Sequence, residues 1–196
     1  GDVLSVFAGL RPLAAPRSEG KKTKEISRSH KLIREKSGLI TIIGGKWTTY
    51  RKMAQDTLDL AIRYMHIPTK DCITERYQIH GSRKNPDFSD PLYVYGTDAD
   101  EIRNLVASSP AMAEKLHPDY AYTVGEVTWL VRNEMPRTLE DVLARRLRIL
   151  FLDARAAMAM APKVAGILAT EWGKDETWTS AQVKAFNEVA SNYILN

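Results

Sequence analysis

A single cysteine, Cys72, leaves the chain without a pair for an internal disulfide and fits a reducing compartment. No uncharged apolar run approaches the roughly 20 residues a membrane-spanning helix needs, and no signal peptide is evident. The four histidines, His30, His66, His80 and His117, follow no metal-ligand spacing. With one cysteine beside them, no zinc or other metal site is expected. Arg17 to Arg34 is rich in lysine and arginine but holds no aromatic residue, so it lacks the stacking platform of a nucleic-acid binder. No internal repeat or low-complexity tract is evident.

What is present is an ordinary globular composition over 196 residues, enough for one or two domains with a real core. The net charge of +4 hides an asymmetry. Through Lys52 there are 12 Lys and Arg against 4 Asp and Glu, a balance of +8; the remainder carries −4. The basic half is suited to an anionic partner such as phosphate, although a solvated loop face explains the Lys21–Lys24 cluster equally well. The chain opens at Gly1 inside what reads as a strand, so it is expected to be a piece of a longer protein.

The apolar pattern predicts an α+β organisation. Val3 to Leu10 reads as a strand that ends at Arg11-Pro12. Ile26 to Arg34 and Leu39 to Ile43 read as two arms of a hairpin turning at Glu35-Lys-Ser-Gly38. Met53, Ala54, Leu58, Ala61, Ile62 and Met65 recur at helical spacing, predicting an amphipathic helix over Thr48–Met65 capped by Thr48 or Thr49. Residues 1–67 are expected to form one piece. Residues 68–96, punctuated by prolines, are expected to be a linker with a short strand near Ile73–Ile79. Residues 97–196 are expected to be a helical domain. Its helices should begin near Asp98 or Asp100, Ser109, Thr123, Thr138, Asp153 and Thr179.

Three motifs point to anion chemistry. Leu39-Ile-Thr-Ile-Ile-Gly-Gly-Lys46 runs a strand through two glycines and a lysine into a helix, where backbone N–H groups and Lys46 together suit a negative ligand. It is not a nucleotide P-loop: Ile40 stands where the first glycine belongs and Trp47 where Ser or Thr follows the lysine. A bare Gly-Gly pair also serves as a plain structural turn. Arg11, stiffened by Pro12, suits bidentate contact with carboxylate or phosphate, and Arg28 lies in Ser27-Arg-Ser-His30. Each arginine alone is also explained by an ordinary ion pair. His30 is better read as a polar strand residue than as a catalytic one. Arg145-Arg-Leu-Arg148 is better explained by ion pairs with neighbouring acids than by nucleic-acid binding.

Taken together and in order, Ser5-Val-Phe-Ala-Gly-Leu-Arg-Pro-Leu13, Ser27-Arg-Ser-His30, Gly38 through Ala54 with its Gly-Gly-Lys-Trp-Thr-Thr-Tyr-Arg core, and Pro136-Arg-Thr-Leu-Glu-Asp-Val-Leu-Ala-Arg-Arg146 closely resemble the C-terminal part of FAD-dependent glycerol-3-phosphate dehydrogenases. The resemblance implies short N-terminal strands from a split FAD and substrate domain, followed by a mostly α-helical C-terminal domain. It implies oxidation of glycerol 3-phosphate to dihydroxyacetone phosphate, with hydride transfer to FAD and electrons passed to quinone. Arg11, Arg28 and Lys46 would surround the substrate phosphate. Gly44, Gly45, Lys46, Trp47 and Thr48 would line the flavin. A homodimer, a peripheral membrane contact, and a cytoplasmic location on the inner face of the cytoplasmic membrane are also expected. The Gly-x-Gly-x-x-Gly dinucleotide unit is absent from this sequence, and the general base is expected outside it, so the chain alone should bind no FAD and turn nothing over. The alternatives are another amino-acid-oxidase-like flavoenzyme and a basic nucleic-acid-binding module.

Overall fold

The computed structural model describes residues 2–10 and 29–195. Arg11 and Arg28 lie outside the described residues. The chain divides into two compact units, Gly1–Ala8 with His80–Asn196, and Gly9–Ile79.

In the Gly9–Ile79 unit, β1 (His30–Arg34) and β2 (Ile40–Gly44) form an antiparallel hairpin in which His30 faces Gly44 and Arg34 faces Ile40. The Glu35 N–H donates to the Leu39 carbonyl at 2.9 Å, and Gly38, at φ 92°, supplies the left-handed residue of the turn. A 3₁₀ turn over Trp47–Thr49 leads into α1 (Tyr50–Met65). His66 ends α1 in the left-handed conformation, at φ 52°. The hairpin is pinned to α1 at both ends. His30 Nε2 lies 2.9 Å from Asp56 Oδ2, and the Arg34 guanidinium lies 3.5 Å from the centre of the Tyr64 ring. Four strand steps advance about 13 Å and the eight helix steps from Asp56 to Tyr64 about 12 Å, so the two pins fall in register. No described residue of this unit is fully buried.

The other unit is helical. It contains α2 (Ala99–Ala107), α3 (Pro110–Ala113), α4 (Val124–Asn133), a π-helical turn (Asp141–Arg146), α5 (Ile149–Leu152), α6 (Ala154–Trp172) and α7 (Glu176–Ala190). Side-chain caps define the helix starts: the Thr123 hydroxyl accepts from the Glu126 N–H, Asp153 from Ala156, and Asp175 from Trp178. Gly173, at φ 61°, stops α6. The core is apolar and continuous, with Ile102, Val127, Leu130, Leu143, Ile149, Leu150, Met160, Val164 and Leu168 all fully buried.

Three local expectations differ from the structure. Val3–Leu10 is not a ladder strand. Its backbone makes single bonds, the Val6 N–H donating to the Tyr193 carbonyl at 2.8 Å and the Ala154 N–H to the Leu4 carbonyl at 3.2 Å; among the described residues no strand pairs with it. Residues 73–79 make a turn rather than a strand, the Arg76 N–H closing onto the Ile73 carbonyl. The helix begun at Ser109 stops at Ala113, because Glu114 turns extended and Lys115 bridges to Thr123.

Candidate functional site

Gly44, Gly45, Lys46, Trp47, Thr48, Tyr50 and Met53 line one open depression of about 690 Å³ where β2 feeds α1. Among the described residues, Lys46 is the only charged one in that lining. Gly44 and Gly45 carry φ of 77° and 86°, a conformation that a side chain strains. A Cβ on Gly45 would lie 2.5 Å from Met53 Sδ and 3.4 Å from His30 Cβ. The positive φ therefore favours glycine at Gly45, a side chain there would also push the Met53 thioether aside, and the backbone can meet a ligand directly.

Lys46 is held by Thr49. Its N–H donates to Thr49 Oγ1 at 3.2 Å, and the Thr49 hydroxyl donates to the Lys46 carbonyl at 2.9 Å. Thr49 thus closes the lysine turn instead of capping α1, where it makes no side-chain cap bond. Trp47 is 88% exposed and stacks on Tyr50, with ring centres 5.8 Å apart. The depression therefore presents a cation, two glycines at positive φ and an aromatic pair to solvent. That combination suits an anionic ligand with a flat ring.

Beneath this loop, Asp56 takes His30 on one oxygen and Lys52 Nζ on the other, at 2.9 Å. The hydrogen bond from Lys52, together with that from His30, holds the Asp56 carboxyl below its usual range despite some desolvation. The ionised carboxylate only accepts, which assigns the proton between the pair to His30 Nε2. Sequence reasoning did not single out Tyr50, Met53 or Asp56. The Lys52–Asp56 spacing of four on a helix was the available signal.

The helical unit holds a different constellation. Glu126 is 4% exposed and accepts from the Tyr95 hydroxyl at 2.6 Å; burial pushes its carboxyl up, opposed by that bond and by its capping contact. The arginine cluster is used structurally. Arg145 pairs with Glu140 at 2.6 Å and Asp141 at 3.1 Å, and Arg146 pairs with Glu134 at 3.3 Å. Among the described residues, no group of three or more His, Cys, Asp or Glu is placed to hold a metal.

Residues 39–179 match the C-terminal domain of alpha-glycerophosphate oxidase, and the chain belongs to that family. It is 35% identical to a probable mitochondrial glycerol-3-phosphate dehydrogenase of Caenorhabditis elegans, across 99% of this chain and 29% of that protein. It is 32% identical to a mitochondrial glycerol-3-phosphate dehydrogenase of Arabidopsis thaliana, across 97% of this chain and 37% of that protein. A third relative, from Mesocricetus auratus, is 31% identical across 99% and 29%. The chain thus spans about a third of the length of these relatives. The expected cytoplasmic location is corrected by them, since all three are named as mitochondrial. One unpaired cysteine reports only a reducing environment and does not distinguish compartments.

Proposed function

We propose that this chain is the C-terminal part of a mitochondrial flavoenzyme that oxidises glycerol 3-phosphate to dihydroxyacetone phosphate. The observation that carries the reading is the Gly44–Lys46 turn: two glycines at positive φ followed, among the described residues, by the one cation that lines an open depression. The shape suits a flavin edge, because the positive φ at Gly44 and Gly45 favours residues without a side chain and leaves backbone at the depression. The chemistry FAD supplies when bound is two-electron oxidation of the substrate's secondary alcohol. Gly44, Gly45, Lys46, Trp47 and Thr48 would line the ring edge. Lys46, with Arg11 and Arg28, would bind the dianionic phosphate. Three cations match the +8 balance through Lys52.

A quinone acceptor, a homodimer and a peripheral membrane contact belong to the same reading, and the family relationship alone supports them. No described helix is long and apolar enough to cross a membrane. The 196-residue chain by itself is expected to retain no flavin, because the described part of the Gly9–Ile79 unit encloses nothing.

The test is Lys46→Met in the flavin-loaded full-length enzyme. A charge-assisted contact to phosphate is worth about 1.5–3 kcal/mol, so kcat/KM for glycerol 3-phosphate should fall roughly 10- to 100-fold. Lys46→Arg should recover part of that loss. An unaltered kcat/KM in Lys46→Met would remove the lysine from the site.

A further inference from the structure

The His30–Asp56 contact lies outside the depression, yet it ties β1 to α1, the helix that carries Tyr50 and Met53 of the lining. His30 opens β1 and faces Gly44 across the hairpin. A Cβ added to Gly45 would lie 3.4 Å from the His30 Cβ, so His30 flanks the space beside that glycine. Met53, one turn before Asp56 on α1, reaches into the same space, its Sδ 2.5 Å from the added Cβ. β1 and α1 therefore meet beside the glycine that precedes Lys46, and the imidazole–carboxylate bond ties them together at this end. The other pin, Arg34 on Tyr64, lies at the far end of the hairpin. The side chains of His30 and Asp56 are only 20% and 29% exposed, so water competes weakly for the bond. Lys52 occupies the second carboxylate oxygen and fixes the rotamer of Asp56.

We infer that His30 and Asp56 are positioning residues: their bond sets the separation of β1 and α1, and through it the placement of Gly45 and Lys46 for the substrate phosphate. The inference rests on the reading of Lys46 given above. Neither side chain touches the reacting atoms. Their effect passes through the backbone of Gly45, so it falls on binding of the phosphate rather than on oxidation of the alcohol. A contact made equally in ground state and transition state alters KM and leaves kcat nearly unchanged.

The experiment is Asp56→Ala, His30→Ala, the double variant and Asp56→Asn in the flavin-loaded full-length enzyme. Kinetics, flavin content and amide exchange at Gly45 and Lys46 are the readouts. Misplacement of a binding group by a fraction of an ångström should raise KM for glycerol 3-phosphate about tenfold, with kcat and flavin content within about twofold of the parent. The two alanine variants should give the same change, and the double variant no more, because both remove one bond. Asp56→Asn keeps an acceptor for His30 Nε2 and should return KM to within about threefold of the parent. Exchange at the Lys46 amide, which is closed onto Thr49, should quicken in the alanine variants only. Unchanged KM and exchange in Asp56→Ala would overturn the inference. So would loss of flavin with kcat falling alongside, which marks general disruption, or Asp56→Asn failing as badly as Asp56→Ala. A parent enzyme inactive on glycerol 3-phosphate would sink the functional reading instead; the exchange arm would still decide the positioning role.

Discussion

The two units solve opposite problems. The helical unit closes a continuous apolar core, led by Leu130, Leu143, Met160 and Leu168, yet none of the candidate ligand-binding residues lies in it. The Gly9–Ile79 unit has all of those residues and, as far as described, no fully buried one. Its Leu39, Leu58, Met65, Ile73 and Ile79 are exposed. A hairpin on one helix is too small to stabilise itself by burial, and here it is held by pins such as His30–Asp56 and Arg34–Tyr64. Precision at the site thus comes from a few directed contacts, whereas stability elsewhere comes from packing.

The sharpest way to break this contrast is at Gly96, in the helical unit. It sits at φ 55°, and a Cβ there would lie 1.5 Å from the Gly81 carbonyl oxygen. That oxygen belongs to backbone, so it cannot swing aside as a flexible side chain would. Gly96→Ala should cost about 3 kcal/mol or more by thermal or denaturant unfolding. Amide exchange in α1 and the hairpin should be unaffected. A neutral Gly96→Ala, or one that loosens both units together, would show that the division is not energetic.

A smaller effect is expected at Glu126. Burial raises its carboxyl above the ordinary 4.5. A raised acid binds its proton more tightly folded than unfolded, so the folded state loses stability as pH rises from the unfolded value through the folded one. Glu126→Gln removes the charge and keeps an acceptor for Tyr95. The variant should be more stable than the parent by about 1 kcal/mol at neutral pH, and the gap should close at acid pH. A gap that widens on acidification would reverse the sign and contradict the account.

These residues also show what sequence could reveal. α4 and α6 were legible because Thr123 and Asp153 cap their starts and Gly173 ends α6. α7 begins at Glu176, three residues before the expected start at Thr179, because Asp175 caps it. The hairpin and α1 were legible in apolar period and turn chemistry. The π-helical turn over Asp141–Arg146 was not, since a bond from Leu147 N–H back to the Val142 carbonyl leaves no signature in side-chain spacing. At the site, the run from Gly44 to Thr48 was legible as contiguous residues, and the structure gathers them in one depression. His30–Asp56 was not, because it joins positions 26 apart and depends on hairpin register. Arg11 and Arg28 remain proposals resting on sequence.

The most direct measurement is residue-resolved amide exchange on the 196-residue chain itself. The account predicts that α4 and α6 exchange through the main unfolding event, while β1, β2 and α1 exchange at least about 100-fold faster through opening of their own unit. Equal protection in the two units would contradict the claim that the candidate binding residues sit where packing, among the described residues, leaves almost no core.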